Sequence, residues 1–236
     1  MGLFLNNRGG VAGQQYDVPL AHYQGIYEKA DPLEIAERCG LSFEKTGEEE
    51  GFFPIRLMGT GYRAVFPVFE LRSVREDVIV SNPAEKILLI RYLCEGKFFE
   101  RKNFENKGKQ LSYNEVPSGP LYYRNFDGRC LKRAARTFGN DLTMFRRAVE
   151  EYPGLRFEAL DKGDAGHAAY RIEFLSGLFI HLLIWAGDDE FQPSAQILFD
   201  DNLVFAFTAE DLAVVGEVLI ARLKKQEEFL TAKYTK

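Results

Sequence analysis

The sequence predicts an α+β fold: antiparallel sheet elements covered by helices, in a single compact domain with a long C-terminal helix. Two observations carry this expectation. Residues 41–80 and 168–200 alternate apolar and polar side chains with period two, broken by Gly-rich turns. Near the C-terminus, Leu212, Val215, Leu219 and Leu223 recur instead at helical spacing. Sheets with one covered face suit this combination.

Residues 1–17 (MGLFLNNRGGVAGQQYD) are rich in Gly, Asn and Gln and read as a loose arm before a domain spanning residues 18–236. A helix is expected from about Pro19 to Ala30. A second opens at Asp31, which can cap, with Pro32 in the first turn, and Gly40 closes it as a left-handed cap. Phe53 to Leu57 and Tyr62 to Leu71 then form a small antiparallel meander. Helix returns at Asn82-Pro83 and runs to about Glu95. Residues 96–110 read as an exposed basic connection. Two helices follow, over about 120–138 and 140–152, separated by Gly139. Ala168 to Leu175 and Leu178 to Ala186 flank Ser176-Gly177 as a tight hairpin. Ser194 to Phe199 supplies a third strand, and the last helix starts at Thr208, a capping residue.

The chain has 236 residues, enough to bury a large core without staples. A formal net charge of −5 argues against non-specific binding to nucleic acid. Cys39, Cys94 and Cys130 are widely spaced and odd in number, which suits a reducing compartment better than a disulfide framework. They sit in helical patterns beside apolar residues, so buried inert thiols are expected. The N-terminal stretch lacks the basic start and apolar core of a signal peptide. The longest apolar runs, such as Leu178 to Ala186, are too short to span a bilayer. These points predict a cytoplasmic protein with no membrane partner.

Charge is segregated along the chain. Ile172 to Ala221 contains no Lys or Arg but nine acids, whereas Leu121 to Glu150 is locally basic. Asp188 and Glu190 follow one strand and Asp200 the next. With His181 they form a candidate divalent-metal set, since hard cations want several converging oxygens. Tightly joined neighbouring strands run antiparallel, so the two acidic groups converge only if residues 187–193 form a crossing loop. Solvated turns account for the same acids. Alternation places His181 on the sheet face opposite Ile180 and Leu182. In the basic stretch, Ser118-Gly119-Pro120 opens a helix with free backbone N–H groups and Arg124 one turn on, a possible anion site. Tyr122, Tyr123 and Trp185 could wall a flat ligand, although packing explains them as well. Gly59-Thr60-Gly61 matches the letters of a dinucleotide fingerprint, but an extended Ala64 to Pro67 follows where a helix is required, so a hairpin turn is expected.

Three segments are familiar together: Leu182 to Phe191 (LLIWAGDDEF), Pro193 to Asp200 (PSAQILFD) and Ala209 to Leu212 (AEDL). They resemble the C-terminal core of the DUF3786 family, and the upstream Pro117 to Tyr123 and Arg91 to Leu93 fit the same pattern. The resemblance covers roughly residues 20–225. It implies a prokaryotic, cytoplasmic protein and hints at anaerobic cofactor metabolism. Some relatives carry a cysteine-rich iron–sulfur segment, which this chain lacks. No catalytic residue is implied.

The leading expectation is a binding or accessory protein for a small molecule or metallocofactor, with Tyr122, Tyr123, Arg124 and Trp185 as contacts. The cofactor itself is not specified. The alternatives are a metal-dependent hydrolase using Asp188, Glu190, Asp200 and His181, and a protein-interaction module with an acidic docking surface. Neither enzyme status nor oligomeric state follows from the sequence.

Overall fold

A computed structural model describes residues 14–96, 108–161, 163 and 166–234. The chain divides into two units, Met1–Ile55 with Gly61–Phe104, and Arg56–Thr60 with Glu105–Lys236. Antiparallel strand ladders and a long final helix make the architecture α+β, as the sequence predicts. Most of the expected loose arm and of the basic connection, residues 1–13 and 97–107, lies outside the described residues. Gln14 to Asp17, the remainder of that arm, are already helical.

In the first unit, helices α1 (Gln14–Tyr27), α2 (Pro32–Cys39) and α3 (Pro83–Glu95) accompany strands β1 (Glu44–Lys45), β2 (Gly51–Leu57), β3 (Thr60–Phe66) and β4 (Glu70–Ser73). The caps are those the sequence offers. Asp31 accepts the Leu33 N–H, Gly40 adopts φ 60°, and Asn82 accepts the Ala84 N–H. The core is aromatic: Tyr27 meets Phe53, Phe66 and Phe69 edge-on. Edge-to-face pairing of this kind adds about 0.5–1.5 kcal/mol per pair beyond area burial.

In the second unit, β5 (Gln110–Ser112), β6 (Phe157–Ala159), β7 (His167–Leu175), β8 (Leu178–Trp185) and β9 (Ser194–Asp200) form a sheet in the order β6–β7–β8–β9–β5. Leu57, in the Arg56–Thr60 tip of the β2–β3 hairpin, pairs with Leu175. Met58 and Gly59 turn that tip with φ 45° and 76°, so the Gly-rich letters there are a hairpin turn and not a phosphate loop.

Helices cover one face of this sheet. They are α4 (Gly119–Phe126), α5 (Lys132–Phe138), α6 (Leu142–Glu150), α7 (Leu203–Ala206) and α8 (Ala209–Tyr234). Phe199 of β9 meets Tyr113 and Phe126, which stack on each other at 4.0 Å, and Tyr170 of β7 meets Phe145 of α6. Leu212, Val215, Leu219 and Leu223 are all fully buried along α8, each worth about 1.5–3 kcal/mol. Thr208 caps α8 reciprocally with Asp211. The helix expected over 120–138 is two α segments joined by a π turn at Asp127–Leu131. There Cys130 lies against Gly216 of α8, and its thiol donates to the Ala213 carbonyl. The short elements β5, β6 and α7 have no counterpart among the expected elements, because three or four residues carry too little periodicity.

Candidate functional site

Strand register alone decides which polar side chains meet on the sheet face opposite the helices. Arg171 of β7 pairs with His181 of β8, and His181 pairs with Leu198 of β9. Two residues beyond Leu198 on the same face stands Asp200, within diagonal reach of His181. The contact is made. The His181 Nε2 lies 2.6 Å from Asp200 Oδ1, and the Arg171 Nη2 donates to Asp200 Oδ2, also at 2.6 Å. The Arg171 guanidinium also lies 3.7 Å from the centre of the Phe179 ring.

His181 and Asp200 are each 2% exposed. Burial alone would raise the Asp200 carboxyl, but the bonds from His181 and Arg171 outweigh it and hold the group below the usual carboxylate range. An ionised Asp200 draws the imidazole proton to Nε2. The other nitrogen, Nδ1, is buried and has no hydrogen-bond partner among the described residues. In the neutral ring it carries an unshared lone pair pointing away from its carboxylate anchor.

A second buried carboxylate in the same unit makes a contrast. Asp161 accepts from Arg146 and from the backbone N–H groups of Gly163 and Ala169. Burial opposes its ionisation, and those bonds together hold its pKa down. Each of its oxygens is engaged, and it closes the turn into β7. At Asp161 no group is left over, whereas at His181 one is.

The four candidate metal ligands do not form one site. His181 and Asp200 converge, but Asp188 and Glu190 lie in the β8–β9 connection, at the other end of both strands. The ladder runs from Ile180↔Phe199 to Trp185↔Ser194, which is the antiparallel geometry that separates the two acidic groups. Asp188 accepts the N–H groups of Glu190 and Phe191 and so closes its own turn. Among the described residues no group of three His, Cys, Asp or Glu is placed to hold a metal ion.

The four candidate ligand contacts are likewise divided. Tyr122, Tyr123 and Arg124 lie on α4, in the helical layer, and Tyr122 hydrogen-bonds Glu210. Trp185, 38% exposed, is on the opposite sheet face, four residues along β8 from His181. The α4 start is explained by packing: a Cβ on Gly119 would sit 1.8 Å from the Tyr113 carbonyl oxygen, so only glycine fits. Arg171 was not among the candidates. Its signal is the register of the hairpin, which places it opposite His181.

Cys39 and Cys130 are buried as the sequence suggests, whereas Cys94 is half-buried. All three cysteines are free, and burial pushes Cys39, Cys94 and Cys130 each up to about 12. No described helix is long and apolar enough to cross a membrane. A family model described as "Domain of unknown function (DUF3786)" matches residues 31–222 of the chain. No curated protein and no solved structure matches it.

Proposed function

The chain belongs to the DUF3786 family, and we propose that it is a binding or accessory protein for a small ligand or metallocofactor, with His181 as the point of attachment. The observation that carries this reading is the buried imidazole whose Nε2 is committed to Asp200 while Nδ1 has no partner among the described residues. Metal-ligating histidines characteristically give their second N–H to a carboxylate, which fixes the tautomer and raises the basicity of the free nitrogen.

Ligand count favours a metallocofactor over a bare ion. A protein-bound divalent cation needs three or more side-chain or backbone ligands, and no such side-chain group exists among the described residues. A metal that arrives within its own ring needs one axial ligand from the protein. Leu183, Trp185 and Leu198 share the His181 face and offer apolar surface to a flat ring. Arg171 adds a cation beside it for an anionic substituent. Because His181 is 2% exposed, capture has to open its surroundings, and slow association is expected. The resemblance and the free thiols support a cytoplasmic, prokaryotic setting within anaerobic metabolism as part of this reading.

The test is an absorption and thermal-melt titration of the purified chain with haem, cobalamin and a flavin. A ligand that binds the native state raises the melting temperature with concentration. The reading expects such a rise with a metal-centred ring, a shift of that ring's absorption band, and loss of both in His181→Ala. Silence across all three ligands, or an undiminished response in His181→Ala, refutes it.

A further inference from the structure

The second unit holds a groove of about 620 Å³ between α5 and α8, lined by Arg133, Arg136, Thr137, Lys224, Glu227 and Glu228 among others. It takes no part in the His181 face. Its volume falls within the range of small-molecule pockets, roughly 300–1,000 Å³.

The charges in this groove do not cancel. Lys224 and Glu228 pair along α8 at 3.7 Å. Glu217 is held closely by Arg129, and Arg133 reaches its second oxygen only at 3.9 Å. Arg136 has no hydrogen-bond or ion-pair partner among the described residues. Glu227 is the remaining acid, and burial followed by Asp141 and Glu228 raises its carboxyl, with Lys224 opposing. It is a single acid facing two guanidiniums in the same lining. Once internal pairs are set aside, two guanidiniums three residues apart on α5 are left facing one space, with the Thr137 hydroxyl beside them.

Side chains three apart on a helix are surface neighbours. Two guanidinium forks side by side present more donors than one carboxylate can accept. A phosphoryl group, with three terminal oxygens and up to two charges, can take a fork on each side. From this we infer that the α5–α8 groove is a binding site for a small phosphorylated molecule, with its phosphoryl group held between Arg133 and Arg136 and the remainder of the ligand along the groove.

The probe is phenyl phosphate, with benzoate as the single-carboxylate control, titrated calorimetrically into the full chain at constant ionic strength. Phenyl phosphate is expected to bind and benzoate to bind at least tenfold more weakly. Arg136→Ala and Arg133→Ala are each expected to weaken phenyl phosphate at least tenfold, with Arg136→Lys in between. Arg136 is solvent-exposed and Arg133 is partly so, so unfolding does not confound these variants, and thermal melts check this directly. No phenyl phosphate binding at millimolar concentration, equal binding of benzoate, or arginine variants that match the parent would each overturn the assignment.

Discussion

Replacing Asp200 tests the candidate site at its anchor. The carboxylate is 2% exposed and accepts 2.6 Å bonds from both Arg171 and His181. Removing one partner of a buried ion pair costs about 3–5 kcal/mol, because the surviving charge is left uncompensated in low dielectric. Arg171 keeps a quarter of its side chain in solvent (25%) and its contact with Phe179. Asp200→Ala is therefore expected at the low end, about 3 kcal/mol. Asp200→Asn keeps the shape and loses the charge assistance, for about 2 kcal/mol. The pH dependence gives an independent check. Asp200 has a folded-state pKa below its ordinary value, so the unfolded chain takes up its proton first as pH falls. The stabilisation is fully present above the usual carboxylate range. It is lost as pH falls through that range toward the depressed folded value. The gap between the parent and Asp200→Asn is thus widest near neutrality and closes in acid. Urea unfolding followed by the fluorescence of Trp185, the one tryptophan in the chain, reports on the strand that carries His181. An Asp200→Ala loss below about 1 kcal/mol, or a parent–Asn gap that does not narrow in acid, would refute the account of a working buried pair.

Other outcomes follow from the same unit. Gly59→Ala should destabilise by at least about 1–2 kcal/mol in the same urea assay, the usual cost of a left-handed L-residue; the glycine has φ 76°, and a Cβ would also lie 2.3 Å from the Gly154 backbone. Glu227→Gln should stabilise at neutral pH. The raised carboxyl of Glu227 keeps its proton longer when folded, so the parent loses stability as pH climbs through and above the usual carboxylate range while the amide does not; melts from pH 4 to 8 should show the gap growing. Cys39 and Cys130 should resist a thiol reagent in the native state and react at the rate of opening, since burial leaves almost no thiolate; prompt labelling of either would contradict the burial.

The elements legible in the sequence are those whose signals are local. Asp31, Gly40, Asn82 and Thr208 cap helices through their own side chains or φ, and the Ser176-Gly177 turn fixes the β7–β8 hairpin. The site was less legible because its register depends on a distant contact. Continued without interruption, the Leu175↔Leu178 pair would put Ile172 opposite His181 and turn Arg171 toward the helices. The register instead shifts between Glu173 and Leu175, which brings Arg171 opposite His181. The Phe174 carbonyl at that irregularity accepts the Met58 N–H from the β2–β3 tip, more than a hundred residues away in sequence. No local pattern announces such a bond. Of the candidate metal set, Asp200 and His181 meet across the ladder, whereas Asp188 and Glu190, grouped with Asp200 along the chain, lie at the other end of the strands.

Asp161 and Asp200, both with buried carboxylates in the second unit, differ in what their partners leave open. Asp161 commits both oxygens to Arg146 and to the backbone N–H groups of Gly163 and Ala169. Asp200 satisfies two side chains, and one of them keeps a nitrogen with no partner among the described residues. Apolar residues of similar volume could fill such a position at equal or better stability, and an unpaired buried acceptor costs about 1–3 kcal/mol with no return. That cost is recovered only when something completes the imidazole. A ligand that does so should stabilise the parent by more than its contacts with Leu183, Trp185 and Leu198 supply, and that excess should vanish in His181→Phe, where no nitrogen waits to be completed. Equal stabilisation of the parent and the phenylalanine variant would mean that the ligand rests on the sheet without touching the histidine.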